Sequence, residues 1–184
     1  MDHSVVLSGF GGQGLLFAGQ VLARAAIKDG LEVFWIPSYG PEMRGGTASC
    51  TVIIGDDPIG SPVVDRFDAA IVMNLPSLRK FGPKVAGGGL VIVNASLVSS
   101  QSTARHDLTE LRLACTDLAA EGGDDQLVTV VALGALVARL GWVTPDSVRA
   151  ALREMASKKR PEILEADLAV FEAGLHAGRL AVAA

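Results

Sequence analysis

A glycine-rich segment near the amino terminus contains the first residues whose types and spacing could support chemistry. Residues 9–14 read GFGGQG, match the pattern G-x-G-x-x-G, follow a short apolar run and precede residues with helical periodicity. Glycines let a backbone approach a phosphate closely, and the free N–H groups at a helix start attract anions. The pattern predicts a binding loop for a phosphate-bearing ligand, formed by Gly9, Gly11, Gly12, Gln13 and Gly14.

A nicotinamide dinucleotide would need more than this loop, because an acidic residue at the end of the second strand binds its ribose hydroxyls. The second apolar run ends at Ile36 and Pro37, whereas Glu32 lies at its beginning. We therefore do not expect a NAD site. Two interpretations stay open. In the first, the glycines have no ligand and only permit a tight turn and close helix packing. In the second, the loop binds another phosphate-bearing ligand or a protein.

A second glycine-containing segment, SYGPEMRGG, follows the second predicted strand. Its Arg44 can pair with a carboxylate or a phosphate, and Gly45 and Gly46 would leave backbone donors exposed beside that arginine. Tyr39 can pack on a ring or on a partner protein. The alternative is a loop without a ligand, held by an internal contact between Glu42 and Arg44.

Asparagines follow two further predicted strands, at positions 74 and 94. An amide side chain directly after a strand either contacts a ligand or caps the next turn or helix. We favour capping for both Asn74 and Asn94.

The other residues that often carry chemistry form no recognisable set. Cys50 and Cys115 lie about 65 residues apart and belong to no cluster-binding run, so we expect two buried, reduced thiols. The histidines are scattered at positions 3, 106 and 176, which predicts no metal site. With neither a catalytic residue nor a metal ligand predicted, the chain is expected to be a binding module or one part of a multi-subunit enzyme.

The composition limits the class of protein. The chain has 184 residues, of which 49% are hydrophobic and 20% charged, and its formal net charge is -4. These values predict one globular domain over residues 1–184, and they argue against partners such as nucleic acid or an anionic membrane. No basic region precedes the first apolar run, so we expect no signal peptide and a cytoplasmic location.

The elements that must position the two loops alternate between strand and helix. Apolar runs predict strands at 4–8, 31–36, 47–54, 69–73, 90–93 and 111–115, and helical spacing predicts helices at 15–28, 76–85, 127–140, from 145 and from 161 to about 177. The alternation predicts a three-layer α/β fold, a mostly parallel Rossmann-like sheet with helices on both faces. Helix 127–140 is apolar nearly all round, so we expect it to be buried or to lie in an interface.

The loops after parallel strands share one edge of the sheet, and open α/β sheets bind ligands at that edge. We therefore expect the turn that contains Gln13 and the turn that contains Arg44 to meet there and to enclose part of a pocket.

The two glycine segments together resemble the gamma subunit (domain III) of the 2-oxoacid:ferredoxin oxidoreductases, which include pyruvate, 2-oxoglutarate, branched-chain ketoacid and indolepyruvate enzymes. The matching stretches are SGFGGQG at 8–14 and YGPEMRGG at 39–46, with further similarity at 59–62, 90–94, 132–135 and 169–174. The second motif looks most like that of the 2-oxoglutarate and branched-chain ketoacid branches.

The resemblance implies one subunit, inactive alone, of an enzyme that decarboxylates a 2-oxoacid oxidatively, with 2-oxoglutarate favoured, and passes electrons to ferredoxin. Thiamine diphosphate, Mg²⁺ and iron–sulfur clusters are then expected on alpha, beta and delta-type partner subunits and not on this chain alone. Coenzyme A is the co-substrate, and its pyrophosphate would suit the loop 9–14 and Arg44. The alternatives are a stand-alone nucleotide-binding oxidoreductase of Rossmann type and a non-catalytic interaction domain.

Overall fold

The structure is a computed structural model that describes residues 2–38, 48–123, 127–156 and 161–180. The strands of this part of the chain are β1 (Asp2–Gly9), β2 (Glu32–Ser38), β3 (Ala48–Gly55), β4 (Phe67–Val72), β5 (Val85–Asn94) and β6 (Thr109–Leu113). The helices are α1 (Leu15–Lys28), α2 (Leu75–Phe81), α3 (Cys115–Glu121), α4 (Val128–Leu140), α5 (Pro145–Ala156) and α6 (Pro161–Leu180). A 3₁₀ turn (Gly82–Lys84) follows α2.

The strands form one sheet in the order β2-β3-β1-β4-β5-β6. The pairs β1–β4, β4–β5 and β5–β6 are parallel, whereas β3 runs antiparallel to both β1 and β2. The predicted mostly parallel α/β sheet is therefore confirmed, with one reversed strand. The expectation that every strand ends at the same edge is wrong for β3. The nine residues between Ser38 and Ala48 are fewer than a parallel crossover needs, so the chain turns straight back.

The two faces of the sheet are buried in different ways, and helices lie on both, as predicted. The larger core lies between one face and residues from α1, α3, α4, α5 and α6. The smaller core on the other face is covered by α2, through Leu78 and Phe81, and by loop residues such as Val98. Side chains alternate between these cores along β1, where Val5 and Leu7 face the larger one and Val6 the smaller one.

Helix α4 is the centre of the larger core. Its residues from Val128 to Val137 are all buried, so the apolar helix is covered within this chain. It packs on α6 with the two backbones in contact, and this close approach requires glycine at the contact positions of α6. A Cβ atom on Gly174 would overlap the main chain of Val131, and one on Gly178 would lie 2.6 Å from the Cα atom of Ala135.

Several predicted boundaries differ from the structure, among them the start of the strand predicted at 90–93, which begins at Val85. Two of the differences have a local reason. The predicted strand 111–115 ends at Leu113, and Cys115 already begins α3, whose first turn contains Asp117, where a carboxylate favours a helix start. The predicted helix 76–85 ends at Phe81 and continues as the 3₁₀ turn, because Pro83 has no N–H group for the next helical hydrogen bond.

Both cysteines are free and buried, as predicted, and burial raises the pKa of Cys50 and of Cys115 to about 12.

We expect neither thiol to be alkylated by iodoacetamide at about pH 8 in the folded chain, because the thiolate is the reactive form. Mass spectrometry after denaturation should show two added labels. Since unfolded thiols lose their protons near pH 9, stability should also fall as the pH rises from there towards 12. Rapid labelling of the native chain would contradict the predicted protection of the two thiols.

The contact between α4 and α6 predicts an unusual effect of alanine. Gly174→Ala should destabilise the chain by about 3 kcal/mol, because the new methyl group must displace backbone. Helix propensity alone would predict a gain of about 1 kcal/mol. Urea unfolding measures the difference, and Gly60→Ala is the matched control, since nothing lies within 4 Å of its added Cβ atom. Equal stability of the two variants would show that the backbones are not in contact.

Candidate functional site

The loop 9–14 connects the carboxyl end of β1 to α1, in the strand–loop–helix arrangement that the motif predicted. Gly14 precedes the helix in a left-handed conformation, with φ 73°, and supplies no side-chain cap. The first helical hydrogen bond is donated by Ala18 N–H to the Gly14 carbonyl. The N–H groups of Leu15 and Leu16 therefore have no acceptor within the helix and are suited to an anion.

Gln13 stabilises the loop through its side chain and through its main-chain carbonyl group. Its side-chain Oε1 accepts a hydrogen bond of 2.8 Å from Phe10 N–H, so the loop supplies an acceptor for one of its own donors. Its carbonyl accepts hydrogen bonds from the N–H (3.3 Å) and the Oγ1 (2.6 Å) of Thr129, in the first turn of α4. Thr129 is fully buried, so this connection to α4 is shielded from water.

The glycines of the loop have different roles. A Cβ atom on Gly9 would overlap Gln13 Oε1 and lie 2.7 Å from Met73 Cβ, so Gly9 is required by packing. Gly12 has a positive φ of 89°, which suits glycine. An added Cβ on either Gly11 or Gly12 would meet no atom within 4 Å, and both residues are exposed. The part of the loop that is open to a ligand is therefore at Gly11 and Gly12.

The segment 39–47 contains five of the predicted site residues, namely Tyr39, Glu42, Arg44, Gly45 and Gly46, and lies outside the described residues. Its two anchors are described. Ser38 ends β2, and Ala48 begins β3 directly opposite Gly9 in the register of β1 and β3. The hydroxyl of Ser8 lies 3.2 Å from the Ala48 carbonyl. Both ends of the segment are thus fixed beside the glycine loop.

A cavity of about 270 Å³ lies between the glycine loop, the start of α1 and the two anchors. Its side chains are mainly apolar and include Phe10, which is 42% exposed, with Leu15, Leu16 and Phe17. None of the described residues that line it carries a charge. The described part of the site therefore offers backbone donors and an apolar wall, while Glu42 and Arg44 are the charged residues that the sequence predicts beside it.

Among the described residues, no acidic side chain lies at the end of β2, where a nicotinamide dinucleotide would need one. Glu32 pairs with Gly55, at the edge of the sheet opposite the glycine loop, and the strand ends in Ser38. The two asparagines cap local structure, as favoured. Asn74 Oδ1 accepts from Ser77 N–H at 2.8 Å, and Asn94 Oδ1 accepts from Ser96 N–H at 3.3 Å.

Ionised groups with a shifted pKa lie away from the cavity. A hydrogen bond from Arg105 lowers the pKa of Asp107, and one from Lys28 lowers the pKa of Glu154. Neither carboxylate lines the cavity. Within the described ranges, no group of three or more His, Cys, Asp or Glu residues is arranged to hold a metal ion. No helix of the described residues combines the length and hydropathy needed to cross a bilayer.

Two contributors to this site were not predicted from the sequence. The apolar wall at Phe10, Leu16 and Phe17 was not predicted, because these side chains belong to the loop and helix that carry the motif and look like ordinary packing residues. Thr129 was also missed, although a polar residue in the first turn of an otherwise apolar helix is a usable signal.

Known proteins are similar to this chain along most of its length. Residues 4–177 match the profile of the pyruvate ferredoxin/flavodoxin oxidoreductase family. The chain is 36% identical over 171 residues to ketoisovalerate oxidoreductase subunit VorA of Methanothermobacter thermautotrophicus, covering 92% of this chain but 35% of VorA. It is 35% identical over 164 residues to 2-oxoglutarate synthase subunit KorC of Methanocaldococcus jannaschii, covering 88% of each. The chain thus spans about a third of the length of VorA and most of KorC.

A solved structure has the same fold along nearly its whole length. The keto/oxoacid ferredoxin oxidoreductase gamma subunit of Geobacter sulfurreducens PCA superimposes with a TM-score of 0.84 at 28% identity, covering 97% of both chains. The family match covers most of the sequence, and both curated relatives exceed 30% identity. The family that the two glycine motifs predicted is confirmed, and the chain belongs to the pyruvate ferredoxin/flavodoxin oxidoreductase family.

Proposed function

We propose that this chain is the gamma-type subunit of a multi-subunit 2-oxoacid:ferredoxin oxidoreductase and is inactive alone. Two observations support the proposal: the family match over residues 4–177, and the similarity to a solved gamma subunit over 97% of both chains. The chain would supply one wall of a site completed by alpha, beta and delta-type subunits. Those partners would hold thiamine diphosphate, Mg²⁺ and the iron–sulfur clusters, and the whole chain would act as one domain.

The substrate we propose is 2-oxoglutarate. KorC, a 2-oxoglutarate synthase subunit, aligns with this chain over 88% of both lengths, whereas VorA aligns over 35% of its own length. Ketoisovalerate is the second candidate, because the identity to VorA is equally high. The complex would convert the oxoacid to an acyl-CoA and carbon dioxide and reduce ferredoxin in the cytoplasm.

Coenzyme A is the ligand that we propose for the cavity beside the glycine loop. The free N–H groups at the start of α1 suit a phosphate, and the apolar wall suits the aliphatic part of a pantetheine arm. Gln13 already occupies Phe10 N–H, so the phosphate would meet the open side of the loop at Gly11 and Gly12. Arg44 would supply the positive charge that the described lining lacks.

The oxoacid activity can be tested on the reconstituted complex. We expect the chain to co-purify with the thiamine-binding subunits of the proposed complex, and the assembly to reduce ferredoxin only with coenzyme A and 2-oxoglutarate. The chain alone should show no such activity, because thiamine diphosphate is bound elsewhere. A screen of several 2-oxoacids identifies the substrate. A monomer that reduces a nicotinamide unaided would exclude the proposed function.

The proposed binding of coenzyme A at the glycine loop can be tested with two substitutions of the same shape, only one of which adds a charge. Gly11→Asp should raise the KM of the complex for coenzyme A at least tenfold, because repulsion between a carboxylate and a nearby phosphate exceeds about 1.4 kcal/mol even at an effective dielectric constant of about 20. Gly11→Asn is the matched control, since both side chains enter the same open space and only one is charged. Arg44→Ala should act in the same direction as Gly11→Asp. An unchanged KM in both charge variants would remove coenzyme A from this cavity.

A further inference from the structure

Three exposed cations cluster at the end of α2 and in the 3₁₀ turn, on the face of the sheet opposite the larger core. They are Arg79, Lys80 and Lys84. The Nζ atoms of Lys80 and Lys84 lie 5.2 and 6.0 Å from the ring centroid of Phe81. Phe81 is buried and packs edge-to-face on Phe67, so a rigid part of the core supports these cations. We call this group the α2 basic corner.

The α2 basic corner is unpaired within the described chain. None of its three residues forms an ion pair with a described carboxylate, whereas Arg24, Lys28, Arg105, Arg112 and Arg149 all do. The chain as a whole has a net charge of -4, so three cations without a described ion pair within six residues form a locally positive surface on an acidic protein. A surface of this kind attracts an acidic partner.

A groove beside the corner indicates what else that partner presents. The groove encloses about 290 Å³ between Leu75, Leu78, Pro83 and Arg79 on one side and residues 101–103 on the other. Apolar side chains line one side of it together with Arg79. No glycine-rich loop that could surround a phosphate lies among the residues of the groove or of the corner. An acidic protein segment with an apolar side chain fits both features.

The position of the corner separates it from the cavity. Val85, the residue after Lys84, pairs with Phe67 at the start of β4, so the 3₁₀ turn lies at the edge of the sheet opposite the glycine loop. A protein bound at the corner would leave the cavity open.

We propose that the α2 basic corner and its groove dock an acidic segment of a partner subunit in the oxidoreductase complex. This inference rests on the proposed function, because it takes the partner from that complex. The contact would be electrostatic and polar at its rim, with one apolar side chain in the groove. It would orient this chain on its partner while the glycine loop faces the shared site.

Carbodiimide cross-linking tests the contact directly, because the reagent joins a lysine amine to a carboxylate only when the two groups touch. In the assembled complex we expect Lys80 or Lys84 to be joined to an Asp or Glu of a partner subunit, identified by peptide mass spectrometry. In the isolated chain both should stay unmodified. Lys28 is the internal control, since its Nζ lies 2.8 Å from Glu154 Oε2 and should be cross-linked in both samples.

Charge reversal gives an independent measurement. Lys80→Glu with Lys84→Glu should weaken assembly about tenfold or more at low salt, since like charges facing each other across an interface are costly. The matched control is Arg153→Glu with Arg179→Glu, which changes the net charge equally at two exposed arginines outside the corner. The control should assemble normally, and the difference should shrink as salt screens the contact.

The outcomes separate this inference from the proposed function. If the wild-type chain does not assemble with the thiamine-binding subunits, the proposed function fails. If it assembles but Lys80 and Lys84 are not cross-linked, or both double variants assemble equally, only the docking proposal is overturned. Cross-links between two copies of the isolated chain would also overturn it, by assigning the corner to self-association.

Discussion

The backbone contact between α4 and α6 determines where the glycine loop lies. Gly174 and Gly178 let the main chain of α6 touch α4, and that contact sets the depth of α4 beneath the sheet. The first turn of α4 then places Thr129 where its hydroxyl and N–H reach the Gln13 carbonyl. A shift of α4 by the width of a methyl group would break or bend those hydrogen bonds. Helix packing on one side of the molecule therefore controls loop geometry at the rim.

Hydrogen bonds within the chain hold the glycine loop in shape. Gln13 supplies an acceptor for Phe10 N–H and is itself held by Thr129, so the turn needs no phosphate to satisfy its inner donor. Little ordering entropy then remains to be lost on binding, which favours affinity. The open face at Gly11 and Gly12 and the apolar wall are what a ligand or a partner would meet first.

Much of the fold could be predicted because apolar runs and glycine turns are local signals. The glycine loop, the buried α4 and the capping asparagines all follow from residues close together in sequence. The reversal of β3 could have been predicted as well, since the connection after Ser38 is short. The separate roles of Gly9 and Gly11 could not be predicted, because they depend on contact with Met73 at one position and on open space at the other. The motif itself does not indicate either feature. The roles of Tyr39, Glu42, Arg44, Gly45 and Gly46 stay predictions, since these residues lie outside the described ranges.

The antiparallel direction of β3 has a consequence for how relatives can diverge. Ser38 and Ala48 leave and re-enter the sheet on neighbouring strands, so residues can be added or removed between them without moving any other element. Lengthening such a connection costs little, because loop-closure entropy grows only with the logarithm of length. The same strands and helices can thus accept a connection of a different length at this edge of the sheet.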